Sequence, residues 1–144
     1  MSIADFMSTK LITLSMDDDL GKAKAIFDQH QIHHILVTDN KELVGIFTDR
    51  DLYKHLSPAI GTYKETHKDT AYLQKKIHLI MTRDLITCAA NLPLNEAVVL
   101  FYDNHISCLP VVDKNYHPVG IITWRDIIKI LALQHQKRSR ELSP

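Results

Sequence analysis

Two short stretches of this chain carry the same chemistry. Thr48-Asp-Arg-Asp51 and Thr123-Trp-Arg-Asp126 each follow an apolar run and precede a helical pattern. Thr-x-x-Asp at such a junction is a capping box, in which the hydroxyl serves the N3 amide and the carboxylate serves the N-cap amide. The same groups suit a ligand. A carboxylate has two acceptor oxygens able to chelate the two hydroxyls of a ribose. A helix N-terminus beside Arg50 or Arg125 suits phosphate. The roles are compatible, since the Thr can cap while the Asp bonds sugar. Gly45 and Gly120 stand three residues before each Thr, inside a strand pattern, where glycine points to close approach by another backbone or by a ligand.

These stretches belong to a longer duplication. At an offset of 74, Met7, Leu11-Ile-Thr13, Leu20, Ala23, Phe27, Ile32, Val37 and Asp39 meet Met81, Leu85-Ile-Thr87, Leu94, Ala97, Phe101, Ile106, Val111 and Asp113. One extra residue before Tyr116-His-Pro118 moves the offset to 75, and Val44, Gly45, Ile46, Thr48, Arg50 and Asp51 then find their twins. Two units are too few for a solenoid, so a closed pair is expected.

Each unit reads as strand, helix, strand, strand, helix. The strands are Leu11–Leu14, His34–Thr38 and Leu43–Phe47, then Leu85–Cys88, Cys108–Val112 and Pro118–Ile122. Asp17-Asp-Asp19 places negative charge where a helix dipole favours it. Asn91 is the expected N-cap of the twin helix, with Pro93 in its first turn. Leu94, Ala97, Val98 and Phe101 then give helical spacing. Asp39–Glu42 and Asp113–Tyr116 carry turn chemistry. The last helix runs to about His135. Ser57–Asp69 is a polar connector, and Thr70–Met81 reads as a helix leading into the second unit. The boundaries drawn are 1–60 for the first domain, 61–76 for connector and linker helix, 77–138 for the second domain, and 139–144 for a tail.

Composition bounds the function. A chain of 144 residues, 45% apolar and 24% charged, can bury one good core. Seventeen basic against seventeen acidic residues disfavour nucleic acid as the main partner. No apolar run is long enough to span a bilayer, and the first residues lack a signal peptide's pattern. Cys88 and Cys108 form no C-x-x-C and read as buried thiols in a reducing cytosol, so a cytoplasmic location is expected. The nine histidines show no zinc-type spacing, and no metal site is expected. A nucleophile elbow, a P-loop and a cysteine-base pairing are all missing from the sequence, so no catalytic residue is named and an enzyme is not expected.

The ordered pattern of I-T, L-x-x-A-x-x-x-F, V-x-D and V-G-h-h-T-x-R-D, present twice from about Ile3 to His135, resembles a pair of cystathionine-β-synthase-type (CBS) domains, a Bateman module. The resemblance implies an α/β (α+β) fold of two β-α-β-β-α units about a pseudo-twofold axis. It also implies two clefts for an adenosine-containing ligand such as AMP, ADP, ATP or S-adenosylmethionine, with no obligatory cofactor. By the family pattern, Ile12, Thr13, Ile32 and His33 would face Thr123 and Asp126 in one cleft. In the other, Ile86, Thr87, Ile106 and Ser107 would face Thr48 and Asp51. The isoleucines would sandwich adenine, Asp would take the ribose, and Arg50, Arg125 and His33 would point toward phosphates. The family often has Pro where this chain has Leu36, and Pro110 keeps it in the second copy. Because Asp17–Asp19 would repel phosphate near the first cleft, the Thr48/Asp51 cleft ranks above the other. What the resemblance implies is a regulatory sensor, non-catalytic and homodimeric, that acts on an effector protein by shifting a conformational population. The alternative is a scaffold or subunit with degenerate clefts that docks onto an enzyme or transporter.

Overall fold

Short apolar runs rich in Val and Ile, broken by turn residues, set the strands. A computed structural model describes residues 1–56 and 58–143; Ser57, the expected first residue of the connector, and Pro144 in the tail lie outside them. The chain divides into two compact units, one of residues 12–85 and one of residues 1–11 with 86–144.

In the unit of residues 12–85, β1 (Thr13–Ser15) lies parallel to β2 (His34–Asp39), and β2 pairs antiparallel with β3 (Glu42–Thr48). Asn40 and Lys41 join the last two with positive φ at both positions, as a two-residue hairpin requires. The helix α1 (Leu20–Gln29) is capped by Asp19, whose Oδ1 accepts from the Lys22 N–H at 2.9 Å. Asp18 Oδ2 instead accepts from the Ser15 N–H at 2.7 Å, closing the preceding turn. The helix α2 (Asp49–His55) follows β3 directly, and α3 (His67–Tyr72) stands in the connector. The core joins Leu14, Leu20, Ile35, Val37, Phe47, Leu52 and Ile77.

The other unit holds α4 (Leu94–Asn104), β4 (Cys108–Val112), β5 (Pro118–Thr123) and α5 (Trp124–Leu142). Its core gathers Ile3, Ala97, Leu109, Val111 and Ile122. The residue inserted before Tyr116 enlarges the hairpin loop. Asp113 Oδ1 there accepts from the Asn115 and His117 N–H groups, each at 2.9 Å. Those bonds hold the Asp113 carboxyl below the usual range, the His117 bond most strongly.

The compact units cut across the repeat order, because each repeat's lead-in segment packs on the hairpin of the other repeat. Ile3 is fully buried among residues of the second repeat, and Ser8 and Ile121 exchange backbone bonds at 2.9 and 3.0 Å. In the twin arrangement, Thr82 and Ile46 exchange two bonds at 2.9 Å.

The helix expected over Thr70–Met81 stops at Tyr72 and resumes only as a 3-10 turn, Ile77–Leu79. The carbonyls of Leu73 and Lys75 are taken by the free N–H groups of Gly21 and Leu20 at the start of α1, at 2.8 and 3.0 Å. Asn91 does not cap α4. Pro93 stands at the N-cap with no side-chain bond, and its carbonyl accepts from Glu96 and Ala97.

Candidate functional site

Within each unit the strand register brings the candidate residues to one end of the sheet. In the unit of residues 12–85, Thr13 opens β1, and β1 runs parallel to β2, so the starts of both strands share an end. His34 at the start of β2 pairs with Thr48 at the end of β3, and α2 begins there. Ile12, Thr13, Ile32, His33, Thr48, Arg50 and Asp51 therefore converge. The His33 carbonyl accepts from the Asp49 N–H at 3.1 Å, tying the residue before β2 to the first residue of α2.

The other unit repeats this. Cys108 pairs with Thr123, and the Ser107 carbonyl accepts from the Trp124 N–H at 3.1 Å. Ile86 and Thr87 precede Cys88, which bridges Val111 in parallel. Ile86, Thr87, Ile106, Ser107, Thr123, Arg125 and Asp126 thus share an end as well. The isoleucines at these ends are half-buried, with Ile32 packed against one core and Ile86 and Ile106 against the other. Each offers a partly uncovered apolar surface of the kind a flat ring can cover.

Both capping boxes form. Asp51 Oδ2 accepts from the Thr48 N–H at 3.0 Å, and Thr48 Oγ1 accepts from the Asp51 N–H at 3.0 Å. At the twin, Asp126 Oδ2 accepts from the Thr123 N–H at 2.8 Å and its hydroxyl at 3.1 Å. In each case the cap engages Oδ2, so Oδ1 remains an acceptor outside the box. Arg50 and Arg125 are exposed beside them.

A third box stands in the connector. Thr66 and Asp69 make the same reciprocal bonds at the start of α3, at 2.9 and 3.4 Å. It lies away from any strand end and has no arginine beside it. The motif alone therefore reports a helix start; its place at the strand ends carries the functional signal.

The two glycines are explained by protein rather than ligand. A methyl group added at Gly45 would sit 2.6 Å from Met81 Sδ and 3.1 Å from the Thr82 carbonyl oxygen. At Gly120 it would meet Met7 Sδ at 2.5 Å. Of the two explanations open in the sequence, close approach by the chain itself is the one observed.

One pair was missed in the sequence. His33 Nδ1 lies 2.7 Å from Asp49 Oδ2, so the ring donates to the carboxylate and Nε2 is directed elsewhere. Sixteen residues separate the two, and only the β2–β3 register makes them neighbours. The adjacent His34 has its pKa lowered, first by burial and then by the charge of His33, against the opposing pull of Asp49 and Asp51. Burial raises the thiols of Cys88 to about 11 and Cys108 to about 12, so neither is a ready nucleophile at neutral pH. Among the described residues, no three His, Cys, Asp or Glu side chains are grouped to hold a metal, and no helix is long and apolar enough to cross a membrane.

Residues 3–58 and 76–133 both match the family model of the CBS domain. The chain belongs to that family. It is 35% identical over 120 residues to the inosine-5'-monophosphate dehydrogenase of Methanocaldococcus jannaschii, covering 83% of this chain but only 21% of the enzyme. The chain thus spans about a fifth of that relative. Among solved structures, a Vibrio cholerae protein named AcuB for acetoin utilization is similar over 100% of this chain and 98% of its own, with a TM-score of 0.79 and 28% identity. The CBS domain pair of protein MJ0100, in complex with 5'-methylthioadenosine and S-adenosyl-L-methionine, is 30% identical over 91% of this chain and 99% of its own, with a TM-score of 0.73. The likeness to AcuB and to the MJ0100 pair, together with the small mixed sheets and flanking helices, makes this an α/β tandem CBS fold.

Proposed function

We propose that the chain is a regulatory, non-catalytic binding protein that senses an adenosine-containing ligand: AMP, ADP, ATP or S-adenosylmethionine. The observation that carries this reading is the form of the two strand-end boxes. Each keeps its helix capped with one carboxylate oxygen and presents the other beside an exposed arginine and half-buried isoleucines. In this reading Asp51 and Asp126 accept from ribose hydroxyls through Oδ1, and Thr13 and Thr87 bond near the base. Ile12, Ile32, Ile86 and Ile106 cover the adenine faces. Arg50, Arg125, His33 and Ser107 meet the phosphates or the tail of the ligand. The MJ0100 pair, similar over nearly its whole length, is complexed with two adenosyl compounds, which supports the ligand class.

Mass spectrometry of small molecules released from the purified chain, followed by calorimetric titration of each adenosine compound, tests the reading. Saturable binding that weakens on Asp51→Ala or Asp126→Ala is expected. A chain that binds no adenosine compound would favour a second reading, a scaffold that docks onto an enzyme or transporter. The Thr66–Asp69 box favours that alternative, because it shows the same residue pair starting a helix away from any strand end.

A further inference from the structure

We propose that the groove between the 3-10 turn Ile3–Asp5 and α5 is a further ligand site, built for an elongated apolar molecule bearing one carboxylate. A cavity of about 550 Å³ lies there, within the 300–1,000 Å³ typical of small-molecule sites. Its apolar surface comes from Met1, Phe6, Ile130 and Leu133, and Lys129 and Lys137 stand on the same wall. On a helix rising 1.5 Å per residue those two lysines are about 12 Å apart, with Leu133 between them. The groove is therefore long, apolar along its length, and cationic at two points.

The lysines are not paired within the groove. Asp5 and Asp126 also line it, so the formal charge is even, but among the described residues neither Lys129 nor Lys137 has an ion-pair partner. Asp126 Oδ2 is engaged by the Thr123 N–H and hydroxyl in the first turn of α5. Lys137 lies about 16 Å further along that helix at a rise of 1.5 Å per residue. An anionic head fits the unpaired lysine end, and an acyl or aryl body fits the floor.

Nor is the groove a by-product of the duplication. By the offset of 75, Leu133 and Lys137 correspond to Pro58 and Thr62, which lie past the end of α2 at His55. Among the described residues only α5, running from Trp124 to Leu142, is long enough to form this wall. The site shares Asp126 with the end assigned to an adenosine ligand, but its apolar floor and its lysines lie beyond that end, and the inference does not rest on that reading.

Decanoate, kept below its micellar concentration, is titrated into the full chain by calorimetry, with decanol as the uncharged control. Saturable binding of decanoate at one site is expected, at least tenfold tighter than decanol. Lys129→Gln with Lys137→Gln should weaken it at least tenfold, and Leu133→Trp should fill the groove and abolish it. All three positions are exposed or half-exposed, so the variants should melt with the parent. Asp51→Ala should bind decanoate as the parent does, whatever happens to adenosine ligands. Absence of saturable heat, equal binding of decanol, or indifference to the lysine pair would overturn the proposal. If decanoate gives no heat and Leu133→Asp halves the mass in solution, the groove is instead a seat for a second copy of the chain.

Discussion

Replacing Asp51 by Ala separates helix capping from ligand binding, because Asp69 provides a matched control. Each substitution removes the carboxylate that accepts from an N-cap N–H, at 3.0 Å in one box and 2.9 Å in the other. Each leaves the Thr hydroxyl still able to accept from the N3 amide. The vacated N–H is within reach of water, so the loss should be about 0.5–1 kcal/mol in either case. For a chain of this length that is roughly 2–4 °C in melting temperature. Ligand binding should divide them. Hydrogen bonds to a charged group are worth about 1.5–3 kcal/mol, so losing the ribose contacts at about 2 kcal/mol weakens one site about 30-fold. At a ligand concentration of about 100 times the parent dissociation constant, occupancy of that one site adds about 2.7 kcal/mol in the parent and about 0.9 kcal/mol in Asp51→Ala, the Asp126 site contributing alike to both. Differential scanning fluorimetry with and without ligand reads this directly. Asp69→Ala should keep the whole ligand shift while losing the same few degrees of baseline stability. If Asp51→Ala and Asp126→Ala also keep it, the carboxylates are caps and nothing more.

The glycines, His34 and the thiols give three more expectations. Gly45→Ala should destabilise by about 2 kcal/mol and Gly120→Ala by about 1 kcal/mol in denaturant titrations. The first forces the Thr82 carbonyl at 3.1 Å as well as a methionine, whereas the three nearest atoms at the second all belong to the flexible Met7 side chain; equal costs would contradict this. His34 is held below its ordinary pKa, so the unfolded chain takes up its proton first. The stability this residue contributes is complete above about pH 6.5 and is lost as pH falls through the lower folded value. His34→Gln should flatten the melting profile between about pH 7 and pH 5, and an unchanged slope would remove His34 as its source. Cys88 and Cys108, with thiols near 11 and 12, should resist iodoacetamide at pH 8 until the chain unfolds, with Cys88 the faster of the two. Rapid labelling of Cys108 in the native chain would contradict its burial.

Much of the fold was legible because period and punctuation agree with it. The hairpins His34–Thr48 and Cys108–Thr123 fall where the apolar runs and turn residues put them. The misplaced elements share a cause: their backbone groups are claimed by distant partners. The linker helix is cut short because α1 needs the carbonyls of Leu73 and Lys75. The second copy of the first strand shrinks to a single bridge at Cys88, where Cys88 donates to the Pro110 carbonyl at 3.1 Å and accepts from Val112 at 2.9 Å. Extending that ladder one step would require an N–H from Pro110 to the Ile86 carbonyl, and proline has none. Leu36 at the twin position has one, and β1 forms a true strand. For the site, residue types were readable from the repeat, but the roles of the glycines were not. Only the pairing of Ser8 with Ile121 and of Thr82 with Ile46 brings Met7 and Met81 onto them.

The duplicated ends are alike in backbone and unlike in charge, and the difference bears on the ligand under the adenosine reading. At the strand end of residues 12–85, Arg50 stands with two carboxylates, Asp49 and Asp51, and with His33 bonded to Asp49. At the other end Arg125 faces one carboxylate, Asp126, while Trp124 and Ser107 occupy the twin positions of Asp49 and His33. The sequence ranking put the Thr48/Asp51 end first for phosphate, on account of Asp17–Asp19. The structure commits Asp18 and Asp19 to a turn and a cap, and it adds Asp49 to the other side of the comparison. Counting Asp, Glu, Lys and Arg, the end at Asp51 carries one more negative charge than the end at Asp126. A phosphorylated nucleoside is therefore better matched to Thr123 and Asp126, and a cationic adenosyl compound to Thr48 and Asp51. One inherited scaffold thereby gains two ends that need not take the same ligand.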